Sequence, residues 1–219
     1  MVAWADGQDP AILILPFLQE FWGTSLLVLL AWPIDHFVKS TWLNWTLGWL
    51  MVMSLDILTE GGSTNPACNV ALWLFGEFTA KEAIVRTIGS VLGALLAFPM
   101  VSDLIPSLTV GSLNVGEDFN IFSTKALIEG AAAGALMLGI HFMPIFGRFM
   151  RPYIAVVLRI ILVVFHYPTF NPGLALGIHW SKGNSLFDFV LFYDYLLAPC
   201  IGAGLVSLAY KKFSKEKTD

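Results

Sequence analysis

Charge is what this chain has least of. Only 13% of its 219 residues are Asp, Glu, Lys or Arg, about half the share of an ordinary soluble domain. Hydrophobic residues make up 57%, and the mean hydropathy is +0.73. That balance excludes a soluble globular domain: the apolar runs are longer than a soluble core needs, and the chain reads as an all-α integral membrane protein. No basic cluster of the kind that holds nucleic acid is present, so no nucleic-acid partner is expected. The net charge of −4 says little about partners, because most of the surface would face lipid. Two cysteines, Cys68 and Cys200, are too few for a disulfide framework or a metal cluster, and both are expected to be reduced. No nucleophile–base pair or cofactor motif stands out, so no enzyme chemistry, metal or cofactor is expected. Met1-Val-Ala-Trp-Ala-Asp6 lacks the positive n-region of a cleavable signal, and insertion is expected to begin with the first span.

What the chain does have is two short stretches, Asn65-Pro66-Ala67 and Asn171-Pro172-Gly173, each followed by an apolar run that stops early. Asn is a favoured helix N-cap and Pro a favoured first helical residue, so the spacing predicts helices over 66–76 and 172–181. A helix of roughly 10 residues is about 15 Å long, half of a ~30 Å hydrocarbon core. Two such half-helices meeting tip to tip form one composite span. Their N-termini then face each other at mid-depth, each with about half a positive charge. Broken helices of this kind are how membrane proteins build a solute site from backbone.

Full spans are expected at about 11–32, 42–58, 80–101, 125–144, 153–167 and 187–210. A polar break at 35–39 separates the first two, and a long acidic connection at 102–123 follows the third. Gly130-Ala-Ala-Ala-Gly134 is a small-residue run suited to close packing in the fourth span. An acid, Glu20 or Glu129, precedes each Asn-Pro at nearly equal spacing. With three spans and one half-helix per half, the second half enters from the opposite side. Residues 1–110 and 111–219 are therefore expected to form an inverted repeat. Lys81, Arg86, Arg148, Arg151 and the lysine tail fall on one side, which the positive-inside rule makes cytosolic, with both termini.

Phe17-Leu-Gln-Glu20-Phe-Trp-Gly-Thr24, Gly61-Gly-Ser-Thr-Asn65-Pro-Ala, Leu127-Ile-Glu129 and Phe170-Asn171-Pro172 together resemble the aquaporin (major intrinsic protein) family over nearly the whole length. The second half, Phe170-Asn-Pro-Gly-Leu-Ala-Leu-Gly and later Leu197-Ala-Pro-Cys-Ile-Gly, is most similar to the unorthodox, intracellular superaquaporin branch. The resemblance implies an aquaporin-like right-handed bundle of six tilted helices plus two half-helices. It also implies one pore per subunit, a homotetramer, and an internal membrane such as the endoplasmic reticulum.

By that resemblance Asn65, Pro66, Ala67, Asn171, Pro172 and Gly173 form the pore motif. Glu20 and Glu129 support the half-helices by accepting hydrogen bonds from exposed loop backbone; a proton or ion relay is the sharper alternative for these costly groups. The filter positions fall on Trp45, Arg159, Pro168 and Leu174. Leu174 stands where orthodox members carry Arg, so the cationic barrier is expected to move to Arg159. Against that stands Arg159 pairing with a buried acid such as Asp56 or Asp194, or snorkelling to the interface. Residues 162–169 lack the glycines expected before the second motif, which shortens that loop. Ser90 replaces the family's Gln on the third span. Gly173 in place of Ala loosens the second half-helix. Cys68, three residues past Asn65, either lies near the pore or faces lipid or a neighbouring helix. The function expected is passive conduction of water, with glycerol or hydrogen peroxide as further solutes. Two alternatives stay open: a non-conducting structural subunit of a larger membrane assembly, and an ion or proton pathway through Asp56, Glu60, Glu129 and Arg159.

Overall fold

The computed structural model describes residues 10–108, 113, 123–142 and 169–215. The expected fifth span, with Arg159, and Pro168 lie outside the described residues, as does most of the 102–123 connection. Every regular element among the described residues is helical: α1 (Pro10–Phe37), α2 (Thr41–Leu58), α3 (Pro66–Phe75), α4 (Ala80–Leu104), α5 (Thr124–Phe142), α6 (Pro172–Ser181) and α7. α7 runs without a break through Phe189–Leu191, a π-helical turn Phe192–Leu197, and Ala198–Lys215. Three helical stretches, Leu13–Phe37, Ala80–Leu104 and Phe189–Ser214, are long and apolar enough to cross a membrane.

The helix ends follow local chemistry. Asn65 caps α3 by accepting from the Ala67 N–H at 3.0 Å, with Pro66 at the first helical position. Gly76, at φ 104°, closes that helix after 10 residues in the left-handed conformation that glycine adopts without a Cβ clash. Thr79 caps α4 by accepting from the Glu82 N–H. The polar break expected at 35–39 is shorter than the sequence suggests. α1 continues through Asp35 and His36 to Phe37, and the true interruption comes where Ser40 caps α2. Polar residues at an exposed helix end cost little, so they did not stop the helix.

The bundle buries polar groups among an apolar core and turns large apolar side chains outward. On α1 the inward face carries Glu20, Thr24, Ser25 and Val28, all buried, while Ile14, Leu15, Trp22 and Leu30 point outward. α4 packs closely on α1, and α7 on α5. Glycines make both contacts possible. A Cβ on Gly89 or Gly93 would strike the Phe17 or Phe21 carbonyl, and one on Gly202 would strike the Gly130 backbone. The half-helices cross over between these pairs. α3 leans on α7 and joins an apolar cluster with Ala132, Leu136 and Met137 of α5. α6 leans on α4, where Gly177 meets Phe98 and the Ala94 carbonyl. Each short helix is thus held by long helices from the other part of the chain, and that exchange brings their first residues together.

Candidate functional site

The tips of α3 and α6 meet, and each asparagine does two jobs. With its oxygen, Asn65 caps its own helix; with its Nδ2 it donates to the Phe170 carbonyl at 3.2 Å. Asn171 Oδ1 accepts from the Gly173 and Leu174 N–H groups, and Asn171 Nδ2 donates to the Thr64 carbonyl at 2.8 Å. Both asparagines are buried. The two accepting carbonyls belong to residues with positive φ, Thr64 at 51° and Phe170 at 32°. Such backbone is uncommon for non-glycine residues and costs on the order of 1–3 kcal/mol each, so it persists only where surrounding bonds hold it.

The two loops run beside two buried glutamates, which hold them unequally. Glu20 of α1 is fully buried and accepts from the Ser63 N–H at 2.7 Å and the Thr64 N–H at 2.8 Å. Arg86 of α4 closes the cradle. Its guanidinium reaches Glu20 at 3.4 Å, Glu82 at 3.0 Å and the Gln19 side chain at 3.3 Å, and lies over the Phe78 ring. Ser63 also donates to Asn69 Oδ1 at 2.8 Å, tying the loop to the next turn of α3. Glu129 of α5 is as deeply buried; its Oε1 accepts the Thr169 hydroxyl at 2.8 Å and its carboxylate faces the Thr169 and Phe170 backbone N–H groups, but its Oε2 has no close partner and no arginine among the described residues joins it. Here α7 sends an acid where α4 sends an arginine. Asp194, in the π-helical turn, lies within electrostatic reach of Glu129 and accepts from the Ser123 hydroxyl at 3.2 Å.

The remaining expected residues sit as follows. Gly173 is buried with Ser90, Asn171 and Pro66 around it. Ser90 itself accepts the Thr24 hydroxyl at 3.1 Å, joining α1 to α4 where a longer amide was expected to be missing. Leu174, half-buried in the first turn of α6, packs on a cluster of Val28, Ala94, Phe98 and Ile178. Trp45 is half-buried on α2 and meets Trp42 edge to face at 5.3 Å. Cys68 is buried in the cluster that joins α3 to α5 and α7, which favours the helix-facing reading. Arg86 and Asp194 are the residues whose site roles sequence reasoning missed. Arg86 read only as one of the cytosolic-side charges, although its spacing from Glu82, one helical turn away, marks a paired side chain. No group of three or more His, Cys, Asp or Glu side chains suited to a metal occurs among the described residues.

Comparison with known proteins places this geometry. A family model described as major intrinsic protein matches residues 15–210. The glycerol uptake facilitator protein of Pseudomonas aeruginosa is 30% identical over 102 residues, covering 42% of this chain and 37% of that protein. The propanediol uptake facilitator of Salmonella typhimurium is 31% identical over 102 residues, covering 41% and 39%. The chain therefore spans well under half the length of these curated relatives. The solved structure of the aquaglyceroporin from Plasmodium falciparum superposes with a TM-score of 0.72 at 20% identity, covering 91% of this chain and 96% of that one. That likeness establishes an aquaporin-like fold.

Proposed function

This chain belongs to the major intrinsic protein family, and from that premise we propose that it conducts water and small neutral solutes passively and in both directions across a membrane. The observation that carries the reading is the mutual bond between the tips, Asn65 to the Phe170 carbonyl and Asn171 to the Thr64 carbonyl. A primary amide has two N–H donors. One from each asparagine holds the opposite loop, which leaves one from each to offer a passing oxygen. The opposed helix N-termini add about half a positive charge each, which repels cations and turns successive waters so that a proton relay is interrupted.

Asn65, Pro66, Ala67, Asn171, Pro172 and Gly173 form the pore motif in this reading, with Glu20 and Glu129 as supports for the half-helices. Trp45, Pro168 and Leu174 form an apolar filter, and Arg159 supplies its cation. Residues 1–110 and 111–219 form the two inverted repeats; the exchanged packing of α3 and α6 supports that division. Both termini are cytosolic, the assembly is a homotetramer, and the chain belongs to the superaquaporin branch of internal membranes. Relatives named for glycerol and propanediol uptake favour short polyols beside water, and hydrogen peroxide is admitted on size.

One observation favours a second reading, that of a non-conducting subunit: Leu174 is engaged in an apolar cluster at the position where a filter cation is expected. Osmotic shrinkage of liposomes separates the two. Liposomes holding the purified protein should shrink faster than empty ones in impermeant osmolyte. Equal rates at verified protein density would remove the conduction claim.

A further inference from the structure

The helical register of α2 divides its surface into three faces. Met51 and Leu55 are buried against α1, and the Asn44 amide bonds the Ile34 carbonyl on the same side at 3.4 Å. Leu43, Leu50 and Ile57 are exposed on another. Between them, more than a third of a turn from the α1 contact (about 140° at ~100° per residue), lie Trp45, Trp49 and Met53 one turn apart, all half-buried. Trp49 is the unusual member. Its indole nitrogen is shielded from outside the protein, yet its N–H has no hydrogen-bond partner. An indole N–H is a donor only, and a buried donor left unpaired costs about 1–3 kcal/mol, so buried tryptophans normally find an acceptor. The N–H is therefore shielded, on the helix face shared with the filter candidate Trp45, without an acceptor supplied by the protein.

We propose that Trp49 is a solute-binding rung of the conduit, one helical turn from Trp45, whose indole N–H donates to the hydroxyl oxygen of water or a short polyol. This inference rests on the conduction reading and gives it a specificity-determining residue. The ring provides an apolar wall for a carbon backbone while the single donor takes one oxygen at a time. An ammonium or other cation without a free lone pair gains nothing from it.

The full-length protein in lipid nanodiscs, with 15N-labelled indoles, tests the proposal directly. The Trp49 resonance is assigned by its loss in Trp49→Phe, which retains an aromatic ring while removing the N–H donor together with part of the indole's bulk. The Trp49 N–H should exchange rapidly with water and shift on titration with glycerol. In proteoliposomes, Trp49→Phe should change the ratio of glycerol to water flux by about fivefold, the weight of one hydrogen bond. An indole N–H protected from exchange for hours, with no glycerol shift, overturns the proposal even if the wild type conducts. A wild type that fails to conduct while its Trp49 N–H exchanges and shifts with glycerol overturns the conduction reading and leaves the binding rung standing.

Discussion

The two glutamate cradles occupy comparable places and are built to different strengths. Around Glu20, two backbone N–H groups and the Arg86 fork converge on one buried carboxylate. Around Glu129, the Thr169 hydroxyl and the Thr169 and Phe170 backbone N–H groups gather, but one oxygen lacks a close partner, no arginine joins it among the described residues, and the nearby helix contributes Asp194. Burying an ion is tolerable only when hydrogen bonds and an opposite charge replace the water it loses. The first tip meets that demand and the second meets it only partly. The lesson is that a shared tip geometry does not require shared energetics: the first half-helix is clamped from below, and the second relies on its bond from Asn65 and its packing on α4.

Isosteric neutralisation of the two acids should give the largest contrast. Glu20→Gln turns an amide donor toward backbone donors and strands Arg86, so a loss of about 3–5 kcal/mol is expected. Glu129→Gln should cost less, about 1–2 kcal/mol, since only hydrogen bonds to neutral groups are weakened and no arginine is stranded. Thermal unfolding in detergent, followed by loss of the folded peak on size exclusion, measures both; equal losses would erase the distinction. Arg86→Lys comes next. A single ammonium cannot span Gln19, Glu20 and Glu82 as the guanidinium fork does, and a loss of about 1.5–3 kcal/mol should appear in the same assay.

Asp194→Asn sharpens the comparison from the other side. It keeps an oxygen to accept from Ser123 and removes an acid near Glu129, at the loss of an attraction to Lys125, so stability should stay within about 1 kcal/mol. A clear loss would mean that the charge of Asp194 supports the second tip. The smallest effect belongs to Gly173→Ala. Its Cβ would sit 3.2 Å from Ser90 Oγ and 3.4 Å from Pro66 Cδ, a tight but nearly adequate fit. The helix-propensity gain over glycine, up to about 1 kcal/mol, should roughly offset the crowding, leaving the midpoint of the same melting curve almost unmoved.

Much of the fold was legible because its signals are local. Asn65-Pro66 and Asn171-Pro172 announce helix starts through capping chemistry, and Gly76 announces a stop; α3 and α6 begin at those prolines. Glu20 and Glu129 stand out because acids are rare in apolar helices, and both do reach the loops before the half-helices. Arg86 was not legible, since whether an arginine near a helix start snorkels outward or turns inward depends on which face the neighbouring helix covers. The glycines at 89 and 93 draw α4 against α1 and turn Arg86 toward Glu20. The π-helical turn that carries Asp194 has no sequence signature at all. The end of α1 was misjudged for a related reason: Asp35 and His36 look like a break, but at an exposed helix end they cost the helix little.

An experimental density map of the protein in lipid tests the meeting of the two half-helices most directly. Asn65 Nδ2 is expected within hydrogen-bond distance of the Phe170 carbonyl, and Asn171 Nδ2 within the same distance of the Thr64 carbonyl, with the two helices approaching from opposite leaflets. Asparagines held apart, or helices entering from the same leaflet, would contradict the paired tips and the conduction path built on them.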